Sequence, residues 1–228
     1  MPTVNHATRT ITCKLVYYGP GHSGKSSNLA YLYSALSADE VGELRTHSTR
    51  REHTMTLEYK PLDLGSIGPY QMRFELCTTP GLSLCQGARE QLLKGADGIA
   101  FVADSRLSEL NENIVCLREM QNIMAAQGVS ARTLPFVFQY NKQNLPAEDI
   151  ASVSELSAVL NFRHAPELGA NAISGEGVID TVRSLGTQLL HHFGGDNFVN
   201  DEEAIGEIDF DNLDDEMEKI ESQQREAA

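Results

Sequence analysis

Apolar and polar positions along the chain alternate between two periods, and the changes of period divide it into elements. Ile11–Tyr18 is a β-branched, apolar-rich run and reads as the first strand. A helix is expected from about Lys25 to Ala38, after a glycine-rich break. Asp39–Thr54 has no strong helical or strand period and reads as a long loop. Met55–Leu64 (MTLEYKPLDL) and Tyr70–Cys77 (YQMRFELC) both alternate, with the turn signal Gly65-Ser66-Ile67-Gly68-Pro69 between them, so an antiparallel hairpin is expected. Helices are expected at about Ala88–Lys94, Leu107–Gln127, Ile150–Leu160 and Val178–Phe193. Gly98–Asp104 (GIAFVAD) and Leu134–Tyr140 (LPFVFQY) are nearly continuous apolar runs, the pattern of strands buried on both faces. Gly169–Ile173 reads as one more short strand. Strands alternating with helices predict an α/β fold, a mainly parallel sheet with helices on both faces, and ligand at the C-terminal strand ends.

The pattern stops at Gly194-Gly195-Asp196. Asp196–Ala228 holds 13 acidic and 2 basic residues, a net of −11 within a chain total of −14. The acidity therefore belongs to a tail, and residues 1–193 carry the folded domain. The tail, 194–228, is too acidic and too poor in apolar residues to add a core, and is expected to be disordered. Leu213, Met217 and Ile220 at helical spacing leave open a short amphipathic helix on a partner. No basic face points to nucleic acid or an anionic membrane. The start, MPTVNHATRT, has no signal-peptide core, no apolar run approaches a membrane span, and neither end carries a lipidation motif, so a cytoplasmic protein without a direct membrane anchor is expected. Cys13, Cys77, Cys85 and Cys116 form no C-x-x-C pair; Cys13 and Cys77 alternate with core residues and read as small buried apolar groups.

The break after the first strand is Gly19-Pro20-Gly21-His22-Ser23-Gly24-Lys25-Ser26, the pattern G-x-x-x-x-G-K-[ST] of a phosphate-binding P-loop. Glycines let backbone N–H groups turn inward as an anion nest. Lys25 places a point charge at the β- and γ-phosphates, the Ser26 hydroxyl ligates magnesium, and the helix that follows brings its positive end, with Ser27 in its first turn, to the same place. Strand before and helix after is the context this motif requires.

A second signal, Asn141-Lys142-Gln143-Asn144, follows directly on a buried strand. With the P-loop it resembles the small Ras-like GTPases, whose base-reading motif is N-K-x-D. The bacterial MglA-type branch is closer still, through KLVYYGPGHSGKSSNL, KGADGIAFVADS, QYNKQNLP, P-L-x-L-G at Pro61–Gly65 and G-V-x-D-T at Gly177–Thr181. These stretches span about residues 9–193. The resemblance implies a P-loop small-GTPase fold and a switch cycling between GTP and GDP with magnesium, in bacterial cell polarity or gliding motility. It implies a Roadblock-type partner that accelerates hydrolysis, polarity effectors, and recruitment to a cell pole by such partners. Residue by residue, it implies phosphate and magnesium binding by Gly21, Gly24, Lys25 and Ser26, and sensing of magnesium and the γ-phosphate by Thr54. Gly81 would donate its N–H to the γ-phosphate, and Asn141 and Lys142 would brace and stack on the base. Ser174 lies near the position that contacts the guanine carbonyl. Thr78, where most Ras-like proteins have aspartate, follows the MglA pattern.

Three positions depart from the family. Leu82 replaces the P-G-Q glutamine that orients the attacking water, and leucine has neither donor nor acceptor. His53 stands where this branch carries an arginine finger, a group worth about 10³–10⁵ in phosphoryl-transfer rate; Arg50 and Arg51 lie close in sequence. Asn144 replaces the base-reading aspartate. Guanine presents two donors, and asparagine offers one acceptor and one donor, so one donor faces another. A mismatch of about 1–3 kcal/mol lowers guanine affinity roughly 10- to 100-fold, whereas xanthine matches asparagine better. Weak or absent intrinsic GTP hydrolysis is therefore expected. A nucleotide-independent scaffold that binds a protein partner is the rival reading; it is favoured by Asn144 and opposed by the intact Lys25 and Ser26.

Overall fold

The computed structural model describes residues 2–48, 53–62, 64, 66–81, 86–130, 133–161 and 163–194. In chain order the elements are β1 (Thr3–Asn5), β2 (Thr10–Tyr18), α1 (Lys25–Ala35), β3 (Val41–Ser48), β4 (His53–Tyr59), β5 (Ser66–Ile67), β6 (Tyr70–Thr78) and α2 (Gln86–Leu93). There follow β7 (Gly98–Asp104), a 3₁₀ turn at Leu107–Glu109, α3 (Leu110–Ala126), β8 (Phe136–Asn141), α4 (Val153–Leu160), β9 (Glu167–Ala170) and α5 (Val178–Gly194).

The nine strands of the described residues join one sheet, in the order β3-β4-β6-β2-β7-β8-β9, with β1 added to β2 and β5 to β6. The pairs β6–β2, β2–β7, β7–β8 and β8–β9 are parallel. The pairs β3–β4, β4–β6, β1–β2 and β5–β6 are antiparallel. The sheet is therefore mixed. The mainly parallel arrangement expected from the sequence holds only from β6 to β9.

Alternation on the strands sorts the core into two layers. Leu15 and Tyr17 of β2, with Ala100, Val102 and Val137, meet Leu29 and Leu32 of α1 and Val182, Leu185 and Leu189 of α5. Val16 and Tyr18, with Ile99, Phe101, Phe136, Phe138 and Tyr140, meet Leu93 of α2, Leu117 and Met120 of α3 and Leu156 of α4. Cys13, Cys77 and Cys116 are buried, and burial pushes each thiol up to about 12, consistent with inert core groups. Among the described residues no helix is long and apolar enough to cross a membrane.

The largest correction concerns the expected loop at Asp39–Thr54, most of which is strand. β3 pairs with β4 as an edge strand, and a register shift between Val41 and Leu44 breaks its alternation. Val41 and Leu44, three apart, both pack against the core, so no period of two is visible. Smaller differences have local causes. α1 stops at Ala35, where Leu36 turns extended and Ser37 bonds to Glu40. α4 starts at Val153 because Ser152 and Glu155 form a reciprocal capping box. Leu82, Cys85, Arg50, Arg51 and tail residues 195–228 lie outside the described residues.

Candidate nucleotide-binding site

Because β6, β2, β7, β8 and β9 run parallel, their last residues, Thr78, Tyr18, Asp104, Asn141 and Ala170, emerge at one edge of the sheet. The P-loop leaves β2 there and enters α1 at Lys25. Gly24 caps that helix with φ 103°, a left-handed backbone suited to glycine, and a Cβ at this position would stand 2.0 Å from Asn141 Nδ2. α1 has no side-chain cap and no acidic residue in its first turn. Its N–H groups and the positive end of its dipole are thus left for an external anion. His22 also adopts a left-handed conformation, with φ 59°, and its side chain is exposed.

Lys25 is buried, and its Nζ donates to the carbonyls of Gly19 (2.8 Å) and Pro20 (2.5 Å). Beside it, the buried Ser23 hydroxyl has no hydrogen-bond partner among the described residues. A buried cation turned onto two backbone carbonyls, an uncapped helix start and an orphaned hydroxyl together fit a bound phosphate chain. Burial pulls the Lys25 ammonium down to about 8 from 10.5. An anionic ligand needs this group charged. Triphosphate affinity should therefore hold below pH 8 and fall above it by up to about tenfold per pH unit. Dissociation constants measured from pH 7 to 9.5 check this, and a flat profile contradicts it.

Asn141 joins the two halves of the site. Its Nδ2 donates to Ser23 O of the P-loop (2.7 Å), and its Oδ1 accepts from Ala172 N after β9 (2.9 Å). Lys142, in a left-handed turn at φ 73°, donates to Asp104 Oδ2 (2.6 Å). Asp104 is fully buried; burial alone would raise its pKa, but hydrogen bonds from Arg106 and Lys142 outweigh this and hold it low. Asn144 lies exposed in the turn after β8.

On the other side of the P-loop, Thr54 sits near the start of β4, opposite His47 of β3. Thr78 Oγ1 accepts from Met55 N (2.8 Å), which ties β4 to β6 one residue from Thr54. Gly81 lies against Gly21 so closely that a Cβ on it would stand 2.5 Å from the Gly21 Cα. His53 opens β4. The structure thus gathers Gly19 to Ser27, Gly81, Asn141 and Lys142 at one strand-end edge, with Thr54 on the adjoining β4. Ser174 is held in a turn, its hydroxyl donating to Asn171 O (3.4 Å), and Ala172 is the residue of that loop clamped by Asn141.

Several supporting residues were missed in the sequence. Asn28 and Gln139 exchange two hydrogen bonds of 2.8 Å, Gln139 also donates to Thr181, and Asn28 donates to Gly24 O. This buried, satisfied cluster fixes the P-loop helix to the strand that carries Asn141. A lone glutamine in the apolar run LPFVFQY was its available signal.

The Mutual gliding-motility protein MglA of Myxococcus xanthus (strain DK1622) is 39% identical over 190 residues, covering 83% of this chain and 96% of the relative. The chain belongs to the MglA family. No protein-family model matches it. As an MglA-type small Ras-like GTPase homologue, it carries the P-loop and the Asn141-Lys142 turn on a mixed α/β sheet with helices on both faces.

Proposed function

We propose that this MglA-family protein is a GTP- and GDP-binding switch with weak or absent intrinsic hydrolysis, serving cell polarity or gliding motility, the latter being the process named in its relative. The observation that carries the reading is the doubly anchored phosphate loop. Lys25 is buried on the Gly19 and Pro20 carbonyls, and Asn141 bridges Ser23 to the base-side loop at Ala172.

In this reading the N–H groups of Gly21 to Ser27 and the Lys25 ammonium bind the phosphates. A magnesium ion would neutralise phosphate charge, held by the hydroxyls of Ser26 and Thr54. Gly81 donates to the terminal phosphate. The Lys142 stem, oriented by Asp104, covers the base, and Asn144 and the Ala172–Ser174 turn face its edge. Residues 1–193 form the switch domain and 194–228 an acidic tail. A Roadblock-type protein and polarity effectors are the partners, and cytoplasmic residence with recruitment to a pole follows from them.

Slow turnover rests on Leu82 and His53, neither of which can supply the water-orienting amide or the guanidinium of the family. Single-turnover hydrolysis of bound GTP, followed without partner, should run well below ordinary Ras-like rates. Turnover at ordinary rates would sink this part of the account.

A further inference from the structure

Arg89 is the largest side chain in the described structure that is almost wholly buried, with 2% exposure, and the phosphate-binding scheme leaves it without a role. It projects from α2. Its Nε donates to Pro80 O (2.9 Å), and one terminal nitrogen donates to Gly81 O (2.8 Å). The other terminal nitrogen pairs with Glu119 Oε2 of α3 (2.5 Å). The guanidinium also lies 5.5 Å from the ring centroid of Tyr18, the last residue before the P-loop. One cation thus touches the exit of β6, the exit of β2, and α3.

We infer that Arg89 is a positioning residue that sets the Gly81 amide for the terminal phosphate, and so makes the protein discriminate triphosphate from diphosphate. The inference rests on the nucleotide-switch reading and adds the device that senses the third phosphate. Two geometric facts carry it. A trans peptide is planar, with its C=O and N–H pointing opposite ways. Arg89 grips the carbonyl of Pro80, so the N–H of the same peptide unit, that of Gly81, points away from α2. Gly81 in turn lies against Gly21. The Lys25 ammonium on the Gly19 and Pro20 carbonyls marks the adjoining P-loop segment as the β/γ end of the cradle, because this lysine reaches those phosphates. A diphosphate fills the nest at the start of α1 and does not need Gly81; a triphosphate does. Glu119 orients the guanidinium, whose planar fork suits two carbonyls and a carboxylate at once, which a lysine does not reproduce.

The test compares wild type with Arg89→Lys and Glu119→Gln in the full chain, titrated with GDP and with GTPγS in magnesium, alongside thermal melting. Arg89→Lys should weaken GTPγS about tenfold, the value of one hydrogen bond made only to the third phosphate, and leave GDP within about twofold. Glu119→Gln should shift the ratio in the same direction by a smaller factor. Equal loss for both nucleotides, or an unchanged ratio, overturns the inference, because a merely structural role moves melting and both affinities together. A wild type that binds neither nucleotide overturns the switch reading itself, and the inference with it.

Discussion

Gly24→Ala should destabilise the fold by about 3 kcal/mol, enough to lower the melting temperature by about 10 °C in a domain of this size. Two costs act together. The backbone at φ 103° is one that an L side chain rarely adopts, and the new methyl would stand 2.0 Å from Asn141 Nδ2. That nitrogen cannot retreat without releasing Ser23 O, so the collision spreads from α1 into the base-side loop. Gly128→Ala is the internal control. Its φ is +72°, yet nothing lies within 4 Å of the added methyl, so it should cost about 1 kcal/mol, from backbone strain alone. Thermal or urea denaturation of both variants separates the two terms. Equal losses would mean that the contact with Asn141 has no energetic weight.

Asn141→Ala should cost a similar amount, about 3 kcal/mol, by a different route. The side chain is buried and satisfies two backbone groups from segments far apart in sequence, Ser23 O and Ala172 N. Truncation leaves both without that partner, at about 1–3 kcal/mol for each group that water does not reach. Asn141→Asp keeps an acceptor for Ala172 N but turns a carboxylate oxygen towards the Ser23 carbonyl, so it should not rescue. Urea denaturation reads the stability. A loss below about 1 kcal/mol would show that the two halves of the site hold together without this bridge.

The site was legible where chemistry fixes spacing. Gly24, Lys25 and Ser26 fall where a strand-to-helix turn must place an anion cradle, and Asn141-Lys142 follow a strand buried on both faces. The helices of the second layer were legible too, because Leu117, Met120 and Ile123 keep one face apolar over many turns. β3 was not legible, since its bulge hides the alternation and its outer edge has no neighbour among the described residues. The start of α4 carried a signal that a reading by apolar period passes over, the Ser152–Glu155 capping box. Long-range polar partners were the least visible. Nothing local marks Arg89 as the residue that holds Pro80 and Gly81, or Asp104 as the partner of Lys142, because the fold alone brings them together. Ser174 was singled out by the short segment it lies in, while the hydrogen bond from Ala172 depends on a backbone amide that any residue could supply.

Nucleotide binding with magnesium is read by calorimetric titration of the purified protein with GTP, GDP, XTP and ATP. GTP and GDP should bind, and XTP should bind more tightly by roughly 10- to 100-fold, because asparagine at position 144 meets the xanthine edge without a donor facing a donor. Failure of all four to bind would contradict it and leave a protein that keeps the GTPase fold as a scaffold.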